Sequence, residues 1–235
     1  FIISTYCLVV EIMQIIEKNY KLRTKGFPPK LTDAEVITIE VCGEFFKLHE
    51  DTEIYNYFKR HYLHYFPTLP DRTTFVRQSA NLWQVKALCQ SLIVRMADQQ
   101  DDQIQSIDTM PLPVCTYTRG GFRDKRFPLQ AEFGHCAAKK MDYYGFKLGL
   151  RIARSGMITH FPLLSARTHD VHHLGSLIEG FTGTVPADKG FIDEYQQSLW
   201  LEKQQTKIVA TNRKNMKSSP EQVKLVRKTK YWRKL

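Results

Sequence analysis

Cysteine is scarce and unpatterned in this 235-residue sequence: Cys7, Cys42, Cys89, Cys115 and Cys136 are scattered, and none stands in a Cys-x-x-Cys pair. That spacing argues against a thiolate zinc site and a disulfide framework, and it fits a reducing compartment. Long apolar runs are lacking too. The stretch from Phe1 to Val10 is apolar, but Glu11, Glu17 and Lys18 interrupt it, well short of the ~20 residues a membrane span needs. It has neither a basic leader nor a small-residue cleavage site, so it does not read as a secretory signal. The first residue is Phe1 rather than methionine, and the expectation is a segment from inside a longer reading frame. Acid is the minority charge, with 24 Asp and Glu against 34 Lys and Arg and a formal net charge of +10. An excess of that sign favours a polyanionic partner, nucleic acid ahead of a membrane surface.

What is present suffices for a core. With 43% hydrophobic and 12% aromatic residues, the chain reads as one catalytic-sized domain with a small appendage rather than as a disordered segment. The basic excess is concentrated from Lys207 to Leu235, where Glu221 is the single acid. Such a run is either a solvated tail or a nucleic-acid contact.

The first hundred residues read as helices. Thr32-Asp33-Ala34-Glu35 has capping-box spacing, and Val36, Ile39, Gly43 and Phe46 follow at helical intervals up to His49. Asp51 or Thr52 starts a second helix through Ile54, Tyr55, Phe58 and Leu63, which Pro67 and Pro70 end. A third starts at Asp71, buries Phe75, Leu82, Val85, Leu88 and Leu92, and fades in the polar run from Ala97 to Gln103. A boundary there separates a helical region, 1–100, expected to touch DNA ends, from a core domain, 101–235. The tyrosines Tyr55, Tyr57, Tyr62 and Tyr65, with Phe66, read as helical packing rather than a stacking platform.

Beyond the boundary the period changes to two. Gln103 to Asp108 alternates as a strand, with Pro111 and Pro113 predicted to stop it. After a long basic, glycine-containing connection, Tyr144–Arg154 and Met157–Ala166 are predicted to pair antiparallel around Ser155-Gly156. His169-Asp170 is predicted to cap a helix through Leu174, Leu177 and Ile178. A strand from Thr184 to Asp188, a helix capped by Asp193 and a strand from Lys207 to Thr211 complete the order β-β-β-α-β-α-β.

Asp108 and Asp188 each close a predicted strand, the position from which loops carrying functional groups leave a sheet with helical crossovers. Two carboxylates sharing a pocket repel unless a hard cation such as Mg²⁺ joins them, and metal-assisted phosphodiester cleavage uses that arrangement. The alternative is that each aspartate is a turn former or helix cap.

Ser106-Ile107-Asp108-Thr109, Tyr144-Gly145-Phe146-Lys147-Leu148, His169-Asp170 and Ala187-Asp188-Lys189-Gly190-Phe191 together resemble the insertion-sequence transposases with a DDE catalytic domain, closest to the insertion sequence nine-eight-two group. The resemblance runs over nearly the whole chain. It implies an α/β, ribonuclease-H-like mixed sheet behind an all-helical amino-terminal region, and a magnesium- (or manganese-) dependent enzyme that nicks and joins DNA. Asp108 is the implied first acid and Asp188 the second, both as metal ligands. The third, a glutamate on a later helix, has no counterpart before Leu235 and is expected beyond it; Glu221, beside Pro220, is not assigned the role. Without that acid this segment is expected to catalyse little. The implied partners are double-stranded DNA, as terminal inverted repeats and as target, with a homodimer on DNA as one assembly and no membrane. The implied location is a bacterial cytoplasm, at the nucleoid when DNA-bound. The alternatives are a noncatalytic DNA-binding fragment and a metal-dependent nuclease without strand transfer.

Several basic residues are candidate DNA contacts. Arg119, Arg123, Lys125 and Arg126 sit with Gly120, Gly121 and Phe122 in one segment suited to phosphate contact and base stacking. Lys147, Lys189, Arg213 and Lys214 join them, with an ordinary exposed surface as the alternative reading. His160, His169, His172 and His173 match no zinc motif and read as surface or capping residues, as does Asp170, the second choice for a catalytic acid. His135, Cys136 and Cys115 form no ligand set that spacing supports.

Overall fold

The computed structural model describes residues 1–23, 26–99, 102–121, 127, 130–137, 139–210, 223 and 227. They fall into two compact units, Phe1–Met96 and Ala97–Leu235. Among the described residues no helix is long and apolar enough to cross a membrane.

The first unit has five helices: α1 (Ile2–Asn19), α2 (Asp33–Phe45), α3 (Asp51–His61), α4 (Arg72–Asn81) and α5 (Trp83–Met96). The capping box at α2 forms as its spacing predicts, with the Thr32 hydroxyl accepting from the Glu35 amide and the Glu35 carboxylate accepting from the Thr32 amide at 2.7 Å. Asp71 caps α4 by accepting from the Thr74 amide at 3.0 Å. Hydrogen bonds from Thr74 hold the exposed Asp71 carboxyl below its usual range. At α3 the expectation fails: Glu50 is the N-cap, and no side chain bonds there. The predicted third helix is two, because the chain breaks at Leu82 before Trp83. Ile12, Leu31, Val36, Ile39, Cys42 and Phe58 are wholly buried in one cluster. Each large apolar side chain removed from water in this way contributes about 1.5–3 kcal/mol.

The second unit is mixed α/β. Its strands are β1 (Gln105–Thr116), β2 (Glu132–Cys136), β3 (Met141–Ala153), β4 (Ile158–His160), β5 (Leu163–Ser165), β6 (Gly183–Ala187) and β7 (Thr206–Ala210). Helices α6 (Leu174–Leu177) and α7 (Glu194–Gln204) lie between the later strands. β3 pairs antiparallel with β1 along one edge and with β2, β5 and β4 in succession along the other. β6 and β7 pair in parallel. A parallel bridge between Ile104 and Thr184 joins β6 to the start of β1. Five strands thus pair antiparallel around β3, and two more pair in parallel, a mixed sheet behind a helical amino-terminal unit.

Three details depart from the sequence expectation. β1 does not stop after Asp108 but continues through Pro111 and Pro113, which face Lys147 and Gly145 of β3. Two prolines at alternate positions turn their missing donors the same way, and a ladder survives when that side is an edge. β2 arises inside the presumed connection, by pairing with the amino-terminal half of β3. The helix predicted from His169-Asp170 begins as a short 3-10 turn, Asp170–His173, and has no side-chain cap. Its apolar residues pack as predicted: Leu174, Leu177 and Ile178 are fully buried with Ile107, Val185, Ala187 and Phe191.

Candidate active site

The chain entering β1 meets β6 at one bridge. Ile104 bridges Thr184 in parallel, and the Thr184 amide donates to the Gln103 carbonyl at 2.8 Å. Asp108 and Asp188 each follow the bridged pair by four residues, so the register, if continued past this isolated bridge, would set them level. Neighbouring strands run about 4.8 Å apart, and residues level on parallel strands share a face. Burial agrees with the register: Ile107 and Ala187 are 3% and 1% exposed, whereas the aspartates that follow them are both exposed. Asp188 is extended (φ −80°, ψ 173°) and leads into a 3-10 turn, Lys189–Phe191. One Asp108 carboxylate oxygen accepts from the Thr109 amide at 2.8 Å.

Gly183 makes that joint possible. Its φ of +144° lies where side chains are rarely tolerated, and a Cβ there would fall 2.5 Å from the Gln103 carbonyl oxygen. Gly183→Ala is therefore expected to push β6 off β1 and to cost about 1–3 kcal/mol of stability, read as a lower urea midpoint. An unchanged midpoint would mean that the joint does not depend on this close approach.

Behind the Asp188 turn lies a second polar group. Lys147 on β3, with 14% of its side chain exposed, donates to Asp170 at 2.8 Å and to the Thr168 carbonyl at 2.7 Å. Asp170, read from sequence as a capping residue, is thus an ion-pair partner. Its carboxylate also borders the turn after Asp188, since a Cβ on Gly190 would lie 3.6 Å from Asp170 Oδ2. Lys147, read as a phosphate contact, has two of its three donors committed within the protein. Tyr143 on the same strand is buried, and burial, with Cys136 and Asp170 nearby, pushes its hydroxyl above the usual tyrosine range. Arg151, also on β3, was not singled out in the sequence; it is buried, donates to the Glu179 carbonyl at 2.9 Å and lies over the Phe181 ring. Desolvation lowers its pKa. Strand alternation alone gives no sign of a buried cation.

The remaining candidates separate. Arg119 and Lys189 are exposed. Arg123, Lys125, Arg126, Arg213 and Lys214 lie outside the described residues, as does Glu221. Three of the candidate histidines engage backbone or carboxylate: His160 meets the Ser176 carbonyl at 2.9 Å, His173 the Ser165 carbonyl at 3.1 Å, and His135 the Asp142 carboxylate at 2.7 Å. Among the described residues, no group of three or more His, Cys, Asp or Glu is placed to hold a metal ion.

A family model described as "Transposase DDE domain" matches residues 98–230. No curated protein matches the chain. Among solved structures, a piggyBac transposase synaptic complex with hairpin DNA is similar at 15% identity and a TM-score of 0.39, over 94% of this chain. The chain spans about half of that protein, 51% of its length. The matched family segment covers more than half of the sequence, Asp108 and Asp188 included, and the chain therefore belongs to the transposase DDE-domain family.

Proposed function

We propose that this chain is the part of an insertion-sequence transposase, of the nine-eight-two group, that carries the first two acids for cutting and joining DNA. Asp108 and Asp188 are the residues that would hold Mg²⁺ or Mn²⁺. The observation that supports this most is the parallel bridge between Ile104 and Thr184, four residues before each of two exposed aspartates. Their donor chemistry fits such an ion. Mg²⁺ is commonly held by one or two carboxylates, with water and substrate phosphate filling the other positions. When bound, the ion would generate the attacking oxygen and neutralise charge on the scissile phosphate.

The protein's own groups supply alignment. Asp108 rests on a strand braced by β3, and Asp188 on a turn backed by the Lys147–Asp170 pair. Arg119 and Lys189, with Arg123, Lys125, Arg126, Arg213 and Lys214, would contact the phosphates of terminal repeats and target DNA. Such contacts position the duplex without reading its sequence. A homodimer on DNA would bring two element ends to two such centres.

Mn²⁺ titration followed by electron paramagnetic resonance tests the assignment. The wild-type chain should bind Mn²⁺, and Asp108→Asn and Asp188→Asn should each weaken binding by at least about tenfold. Equal binding by all three proteins would remove the metal centre and leave a noncatalytic DNA-binding module.

A further inference from the structure

The first unit contains a helix whose rotation is set by buried polar contacts. On α4, Phe75, Gln78 and Ser79 face inward and are 1%, 8% and 5% exposed. The Gln78 amide donates to the Leu31 carbonyl at 2.9 Å and to Asp33 at 2.8 Å, while Asp33 also takes a bidentate contact from Arg23. Ser79 donates to Glu40, which Lys86 pairs at 2.9 Å. At the helix start Arg72 donates to the Thr52 hydroxyl at 3.0 Å. An apolar helix face tolerates sliding and rotation; a face of directional buried bonds does not, because a turn out of register leaves several polar groups unpaired.

With its rotation set, α4 presents Thr73, Arg77, Ala80 and Asn81 outward. Their positions, i, i+4, i+7 and i+8, form one stripe. The stripe has no acid and no large aliphatic side chain. It borders a groove of about 680 Å³ that Lys21, Thr74, Arg77, Asn81 and Gln84 help to line. Three cations line that groove, Lys21, Arg23 and Arg77, against the single acid Asp33, which Arg23 and Gln78 already occupy. Leu22, Leu82, Val85 and Leu88 also line the groove, while on the exposed stripe the small Ala80 lies between Arg77 and Asn81 and permits close approach.

We propose that this stripe of α4 enters the major groove of duplex DNA, with Arg77 and Asn81 reading base edges and Lys21 on the flanking phosphates. The major groove admits an α-helix, arginine pairs with guanine and asparagine with adenine, and alanine suits a thymine methyl. The proposal rests on the reading of the chain as a DNA enzyme and adds where sequence would be recognised. A surface that only gripped phosphate would need neither a defined helix rotation nor an amide beside the guanidinium.

The full chain, incubated with a synthetic duplex pool carrying a randomised core, should enrich a preferred sequence. Dimethyl sulfate should then find guanine N7 positions protected within it. The double variant Arg77→Ala/Asn81→Ala changes exposed residues only. It should still bind the unselected pool but lose about 10- to 100-fold of the discrimination between selected and unselected duplex. Undiminished discrimination in the variant, absent N7 protection, or salt-sensitive binding by the wild type that enriches no sequence would each overturn the α4 assignment while leaving the DNA-enzyme reading in place. No DNA binding by the wild type at any salt would overturn both.

Discussion

Asp108→Asn and Asp188→Asn should each lower metal-dependent nicking of element-end DNA by at least about 10²- to 10³-fold, the loss found when a single group that stabilises transition-state charge is removed. Asparagine keeps the shape of aspartate but replaces an anionic oxygen by an amide, so the strand should stand while its hold on a divalent cation fails. The measurement is single-turnover nicking of a labelled duplex in Mg²⁺ by the protein in its complete reading frame, with DNA affinity and thermal unfolding followed in parallel. Nicking at the wild-type rate by either variant would remove that aspartate from the centre. Asp170→Asn separates alignment from chemistry. It deprives Lys147 of its partner behind the Asp188 turn, so its effect should be smaller and should grow as the turn loosens with temperature. A cut in nicking equal to that of Asp188→Asn at every temperature would make Asp170 an acid of the centre itself.

Affinity for duplex DNA should fall about 10³-fold or more between ~50 and ~200 mM salt if six or more of the proposed cations reach phosphates. Arg119, Lys189, Arg123, Lys125, Arg126, Arg213 and Lys214 make up that set, and the chain's net charge of +10 supplies the long-range attraction. Fluorescence anisotropy with a labelled duplex over a salt series gives the slope directly. Replacing one contacting residue, Arg126→Ala for example, should lower the slope by about one and weaken binding evenly across sequences. A flat salt dependence would exclude DNA as the polyanionic partner. The α4 variant should leave this slope nearly unchanged, which keeps phosphate gripping and base reading separable.

Local chemistry made much of the fold legible. The capping box at Thr32 and the aspartate caps of α4 and α7 form between residues three apart, so their bonds depend on little beyond their own segment. The start of β1, the turn at Gly156 and the strand segments β6 and β7 were readable for a similar reason, since side-chain period and turn chemistry act over a few residues. β2 was hidden because its pairing exists only once β3 lies beside it. The passage of β1 through Pro111 and Pro113 was hidden because a proline's cost depends on whether its strand side faces a neighbour or an open edge.

The candidate site divides along the same line. From residues alone came two aspartates at strand ends, eighty positions apart, and a basic surface for a polyanion. Tertiary structure joined the segments that carry them, through one bridge with the same eighty-residue offset and a glycine that lets two backbones meet. It also turned Asp170 from a cap into the partner of Lys147, and rotated α4 so that Arg77 and Asn81 face outward. The physical reason is range: caps, turns and periodicity are settled by neighbours in the chain. The spacing of two carboxylates and the aim of a helix face depend on contacts that exist only after distant segments have packed.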